Sequence, residues 1–209
     1  CQDVSDSLLL SITTSATAYA GPDIEACEAT SVVIDQANAT SYSSVSWAST
    51  GLGALLNSNT LTPTYVPAYN ETGIVSLTLT AYGNGSCGNA SDVMNITLTP
   101  APEVNAGADE EICENNSYTI SDAYAHNYAF LLWTSDGQGS LTNANTISPT
   151  YTPASGETGP VNFTLTVYAN GSCQDISDSK VLFITEQATA NAGLDAEICE
   201  GNSYLISDA

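Results

Sequence analysis

Val161-Asn-Phe-Thr-Leu-Thr-Val-Tyr168 alternates apolar and polar residues without a break. Val161, Phe163, Leu165 and Val167 fall on one face, and Asn162, Thr164, Thr166 and Tyr168 on the other. A period of two is the signature of a strand with one face in a core. The strand runs into Asn170-Gly171, a dipeptide that favours a hairpin, and the segment beyond it places Leu182 and Ile184 on one face, with Lys180 two residues before them. The same words stand earlier in the chain. Val75, Leu77, Leu79 and Ala81 alternate before Asn84-Gly85, and Met94, Ile96 and Leu98 follow.

Working outward, every landmark recurs at a step of 86 residues. Cys1, Cys87 and Cys173 keep it, as do Cys27, Cys113 and Cys199; Gly21, Gly107 and Gly193; Trp47 and Trp133; Tyr65 and Tyr151. Cys1-Gln-Asp-Val-Ser-Asp-Ser7 returns as Cys173-Gln-Asp-Ile-Ser-Asp-Ser179, and Ser117–Ala123 returns at 203–209. No insertion shifts the register. A period this long exceeds the roughly 20–50 residues of solenoid coils and propeller blades and suits a separate domain with its own core. The expected organisation is the end of one repeat at 1–14, full repeats at 15–100 and 101–186, and the start of another at 187–209. The joint Thr99-Pro-Ala-Pro-Glu-Val-Asn-Ala-Gly107 is short and carries two prolines, which limits its freedom.

Within one repeat the strands expected are Ser31–Asp35, Ser43–Ser49, Thr64–Pro67 and the hairpin pair, with counterparts at Ser117–Ser121, Ala129–Thr134 and Thr150–Pro153. The prolines put Thr64–Pro67 at a sheet edge. With no helical periodicity, six or seven short strands per repeat point to an all-β fold of tandem immunoglobulin-like Greek-key β-sandwiches. Trp47 and Trp133 are expected in the core rather than as sugar-stacking platforms.

Charge narrows the partners. The 209 residues carry 23 acidic side chains against the single Lys180, no arginine and one His126, a net charge of −22. Nucleic acid and anionic lipid both require basic residues, so neither is expected as a partner. The acidity is read first as a solvated, self-repelling surface. No apolar run approaches the ~20 residues that cross a bilayer, so no membrane insertion is expected in this segment.

Catalysis finds no footing. His126 does not recur with the repeat, which rules out a Ser–His–Asp arrangement built repeat by repeat. Acidic pairs such as Glu110/Glu111 are too common here to mark acid–base work. The chain is therefore not expected to be an enzyme, and no cofactor is implied beyond calcium. The calcium candidates are Asp23, Asp109 and Asp195 at the joints, with Glu25, Glu111 and Glu197 two residues on, because hard cations take oxygen ligands. The competing reading is that each Asp caps a turn through its own backbone. Asn-x-Ser/Thr sequons occur at Asn38, Asn70, Asn84, Asn89, Asn95, Asn115, Asn162 and Asn170, a weak signal in so Asn- and Thr-rich a chain.

Several words together resemble a known family. Asn105-Ala-Gly-Ala-Asp109 leading to Ile112-Cys113-Glu114, the Leu132-Trp133-Thr134 strand, Ser148-Pro-Thr-Tyr-Thr-Pro153, and Val161–Tyr168 followed by Asn170-Gly-Ser-Cys173 resemble the PKD-like, immunoglobulin-like repeats of large Bacteroidota surface proteins. Gliding-motility adhesins exported by the type IX route are among them. The resemblance covers the whole chain. It implies an extracellular or cell-surface, secreted protein whose modules form a filament or stalk supporting adhesion or motility. The partners would be neighbouring repeats, surface glycans or other filament chains. The alternative is carbohydrate- or protein-binding modules appended to a secreted enzyme.

Six cysteines in such a chain imply an oxidising compartment. Since modules of this type resemble units that fold singly, the first expectation is Cys27–Cys87 and Cys113–Cys173, with Cys1 and Cys199 paired outside this stretch. A second pairing is Cys87–Cys113, with Cys1–Cys27. A third, Cys27–Cys173, links one repeat to the far hairpin of the next; sandwich topology favours it, because Cys27 and Cys87 belong near opposite poles.

Overall fold

The computed structural model describes residues 1–205; the last four residues of the 187–209 segment lie outside the described residues. Among the described residues the fold has eighteen strands and no helix. In chain order the first nine are β1 (Thr17–Tyr19), β2 (Ile24–Cys27), β3 (Val32–Val33), β4 (Asn38–Thr40), β5 (Tyr42–Ser49), β6 (Ala54–Leu56), β7 (Thr64–Val66), β8 (Gly73–Gly83) and β9 (Ala90–Thr99). The next nine are β10 (Glu103–Asn105), β11 (Glu110–Cys113), β12 (Tyr118–Thr119), β13 (Tyr124–His126), β14 (Tyr128–Ser135), β15 (Ser140–Thr142), β16 (Thr150–Thr152), β17 (Gly159–Ala169) and β18 (Ile176–Thr185). Each bound in the second set lies 86 residues after its counterpart in the first. The sequence period is thus also the period of the secondary structure.

In the first repeat a four-stranded sheet runs β2-β9-β8-β5, a three-stranded sheet β3-β7-β6, and β1 pairs with β4. The second repeat has the orders β11-β18-β17-β14, β12-β16-β15 and β10-β13. The long hairpin β8–β9 carries the alternation that the sequence announces: Val75, Leu77, Leu79 and Ala81 on β8 and Met94, Ile96 and Leu98 on β9 are all buried. They join Val32 and Tyr65 from the other sheet, and Trp47 from β5, in one apolar cluster. In the second repeat Val161, Phe163, Leu165, Val167, Leu182 and Ile184 are buried in the same places, and Tyr151 meets Phe163 edge-on with ring centroids 5.1 Å apart. At ~25 cal/mol per Å² of apolar surface, burying such side chains stabilises by roughly 1.5–3 kcal/mol each. Trp47 and Trp133 belong to the core, 5% and 1% exposed.

Three details depart from the sequence reading. First, there are nine strands per repeat, because the short strands β4 and β6 add to those expected and the stretch that opens the repeat forms two strands, β1 and β2. Gly21 (φ +102°), followed by Pro22, breaks the ladder between β1 and β2. β1 then pairs antiparallel with β4, while β2 crosses to run parallel to β9. Second, β7 is not at an edge but between β3 and β6. Pro63 and Pro67 flank the strand, so no ladder donor is lost, and the Pro63 carbonyl accepts the Ile34 N–H at 3.0 Å. Third, the Asn-Gly hairpin signals lie in longer loops. Cys87 N–H closes a turn on Asn84 O, and Cys173 N–H one on Asn170 O.

Compactness divides the chain differently from the sequence period. Among the described residues one unit comprises 1–104, 124–131 and 166–177; the other comprises 105–123, 132–165 and 178–205.

Candidate functional site: a disulfide at the joint

β2 places Cys27 directly opposite Thr99, the last residue of β9, in a parallel register that the Glu28 N–H extends by bonding Thr99 O at 2.8 Å. Cys27 therefore sits beside the start of the proline-rich joint. Cys173 reaches the same place from the loop between β17 and β18. Its Sγ lies 3.5 Å from Thr99 O and 3.6 Å from Pro100 O, and the two sulfurs are bonded, with their Cα atoms 4.7 Å apart. Asn127, held at φ +56°, adds a side-chain N–H to Ala101 O at 3.0 Å. Residues 99–101 are gripped by β2, by the 170–173 turn and by Asn127. All of these belong to the first compact unit.

The bond formed is the third pairing, and the first expectation is corrected. Cys27 is not joined to Cys87, nor Cys113 to Cys173, nor Cys87 to Cys113; Cys1, Cys87, Cys113 and Cys199 form no disulfide among the described residues. The reason is strand length. Cys27 registers with the end of β9 and Cys87 precedes its beginning, so the 10 residues of β9 lie between them. At ~3.3 Å per residue that is about 30 Å, against the ~7 Å limit between the Cα atoms of a disulfide.

The acidic joint residues do other work. Asp23 Oδ1 accepts the Asn95 N–H at 2.8 Å, and Asp109 Oδ1 accepts the Val181 N–H at 2.8 Å. Each side chain thus supplies the acceptor that extends the β2–β9 or β11–β18 ladder by one rung, a role distinct from the local turn expected. Asp195 is exposed, in a segment whose described residues form no strand. Calcium takes about six to eight oxygens. Among the described residues no group of three or more His, Cys, Asp or Glu side chains gathers to supply them. His126 lies beside Tyr124, ring centroids 5.8 Å apart.

One constellation escaped sequence reasoning. Glu71, only 8% exposed, accepts Leu52 N–H at 2.6 Å, Ala68 N–H at 2.8 Å and Tyr65 O–H at 2.7 Å. Gly53 N–H in turn donates to the Tyr65 oxygen at 3.0 Å. Glu157 and Tyr151 repeat the arrangement with Gln138, Ala154 and Gly139. Burial pushes both carboxyls up, but the hydrogen bonds together outweigh it and hold them below the usual carboxylate value. Burial and then the carboxylate push the Tyr65 hydroxyl up, and that of Tyr151 to about 12. Gly51 and Gly137 are glycine because an added Cβ would stand 1.9 or 2.0 Å from the tyrosine oxygen. The available signal was the recurrence of Glu-Thr-Gly six residues after the tyrosine, at 71–73 and 157–159. The clamp ties two loops of each sandwich together and is structural.

The fold and the joint define a class: tandem immunoglobulin-like β-sandwiches. No family model matches the sequence, and no curated protein matches it. Among solved structures the chain is similar to Drosophila N-cadherin EC1-4, with a TM-score of 0.53 and 12% identity over 84% of this chain and 50% of that one. It is also similar to immunoglobulin domains 1–4 of Sidekick-1, with a TM-score of 0.50 and 15% identity over 83% of this chain and 50% of that one. The chain thus spans half the length of each, and at these identities the likeness is one of fold alone. Among the described residues no helix is long and apolar enough to cross a membrane.

Proposed function

We propose that this chain is a stretch of structural repeats from an extracellular filament or stalk of the surface-adhesin type, supporting adhesion or motility. The observation that carries the reading is the covalent bond between two copies of a repeat whose strands recur without a gap. A disulfide belongs to an oxidising compartment, and a bond from one repeat to the next suits a tether that must resist extension. Pulled at its ends, the oxidised chain carries load through Cys27–Cys173. The intervening chain, and with it most of both sandwiches, is shielded from force. No step of this role requires a catalytic group or a cofactor, and neighbouring repeats are the partners it needs.

The test has a mechanical and a cellular arm. In single-molecule stretching, the reduced chain should lengthen beyond the oxidised one by the span of 146 residues between the bonded cysteines, about 500 Å at ~3.5 Å per residue. Equal lengths, or a reduced chain that extends without resistance, would remove the load-bearing role. Antibodies to the repeat should label intact cells of the source organism on surface appendages. Label confined to lysed cells would overturn the extracellular reading.

A further inference from the structure

Cys87 and Cys113 are not leftover thiols; each stands in a half-site that the structure shows filled one repeat away. Cys113 ends β11 opposite Thr185, as Cys27 ends β2 opposite Thr99, and Glu114 N–H bonds Thr185 O at 2.8 Å as Glu28 N–H bonds Thr99 O. Cys113 is exposed. On the other side, Cys87 Sγ lies 3.3 Å from Thr13 O, 74 residues back, as Cys173 Sγ lies 3.5 Å from Thr99 O, also 74 residues back. The turn that presents Cys87, closed on Asn84, matches the one that presents Cys173, closed on Asn170. At the filled position the other sulfur comes from the neighbouring repeat.

We propose that Cys113 and Cys87 are the two open halves of the same bond. Cys113 takes the hairpin-loop cysteine of a repeat of this kind that follows, and Cys87 the β2-end cysteine of one that precedes. Bonds then run down the array in one direction, each repeat contributing one cysteine to the bond before it and one to the bond after it. Each bond forms as two thiols give up two protons and two electrons to a disulfide oxidant, either oxidised glutathione, which leaves as two glutathione thiols, or a thiol oxidoreductase, which leaves as its dithiol form. The inference rests on the tandem-repeat reading and adds to it the partner of each free cysteine.

The test extends the full chain. Joining a copy of residues 124–186 after Ala209 completes the repeat begun at 187 and supplies a new hairpin cysteine, the copy of Cys173. The chain is oxidised in a glutathione buffer, its free thiols are alkylated, and the linked peptides are mapped by mass spectrometry. In the 209-residue chain, Cys27–Cys173 should be linked while Cys87 and Cys113 are alkylated. In the extended chain, Cys113 should lose its alkyl label and appear linked to the new cysteine, with Cys27–Cys173 unchanged. Cys113→Ser in the extended chain should restore alkylation of the new cysteine alone. Cys113 still alkylated in a chain that retains Cys27–Cys173, or linked instead to Cys87 or Cys199, overturns the proposal. So does any disulfide between Cys87 and Cys113 in the 209-residue chain. If Cys27–Cys173 itself is absent from the 209-residue chain, the proposal falls with the bond it extrapolates. A staple found in the extended chain while surface labelling fails would leave the pairing rule standing and remove the filament.

Discussion

The two repeats share every strand, yet one core position is filled in opposite ways. In the first repeat Met94 is fully buried among apolar neighbours, with Val32 on β3 and Gln36 beyond it in sequence. One period later the same three positions hold Lys180, Tyr118 and Asp122. Lys180 is 1% exposed and donates from Nζ to Tyr118 Oη at 2.7 Å and to Asp122 Oδ1 at 3.1 Å. Asp122 Oδ2 accepts the Ala108 N–H at 2.7 Å, so the network ties β18 to the turn before β11. Burial opposes the charge on Lys180, but its two partners outweigh burial and raise its pKa above the usual lysine value. The Ala108 N–H, against the opposing effect of burial, and then Lys180 hold Asp122 below the usual carboxylate range. The lesson is that the sandwich accepts either an apolar plug or an ion pair, provided the partners change together, because a buried charge is tolerated only when paired and hydrogen-bonded.

The largest expected effect comes from taking the two repeats apart. Opening the 146-residue loop by reducing Cys27–Cys173 removes a constraint worth about 5 kcal/mol on the chain-entropy model. A lower melting temperature by calorimetry is expected, and an unchanged curve would take the bond out of the stability of the molecule. Next, Met94→Lys puts an unpaired charge where Val32 and Gln36 offer no carboxylate. A loss of about 4 kcal/mol is expected, read by urea denaturation through Trp47 fluorescence in a Trp133→Phe background.

Lys180→Met in the second repeat should cost less, about 2 kcal/mol, because Asp122 is partly exposed and can rehydrate. Adding Tyr118→Val and Asp122→Gln should recover most of it. If the triple variant is no more stable than the single one, the coupled reading of these positions is wrong.

Acid and alkali sharpen the comparison. Both repeats carry a buried glutamate whose folded pKa lies below 4.5, so its stabilisation is full above pH 4.5 and is lost as pH falls through the lower folded value. Both should weaken together in acid. Tyr65 and Tyr151 have raised values, so both repeats lose stability above pH 10. Lys180, raised above 10.5, stabilises below that pH and ceases to do so as pH climbs through its folded value, in the second repeat alone. Tryptophan-resolved melts should show the second repeat weakening further in alkali, and Lys180→Met with its two companions should abolish the extra loss.

The smallest difference concerns the two tryptophans. Trp47 Nε1 donates to Thr60 O at 3.0 Å, whereas Trp133 Nε1 is buried with no hydrogen-bond partner among the described residues. Trp47→Phe should therefore cost about 1 kcal/mol more than Trp133→Phe, and equal costs in urea melts would show that the bond contributes nothing net.

Much of this architecture is legible in one dimension. Alternation along Val75–Ala81 and Val161–Val167 names the buried face of each long strand, because successive side chains in a strand point to opposite sides whatever surrounds them. The step of 86 residues needs only comparison of the chain with itself, and it carried over to every strand bound. Short elements were harder. A proline beside a strand reads like a proline within an edge strand, and only the ladder of β7 shows that Pro63 and Pro67 lie outside it. Glu71 and Glu157 were lost among 23 acidic residues, since nothing local marks a carboxylate that will be buried under two loops.

The sequence by itself determined the period, the class of fold and the apolar face of the long strands, for these are properties of neighbours along the chain. Tertiary structure alone decided which sulfur meets which, where the joint acids spend their oxygens, and that a lone lysine lies in a core. Those outcomes depend on distances between residues 58 to 146 positions apart, which exist only once β2 has crossed to β9 and β11 to β18.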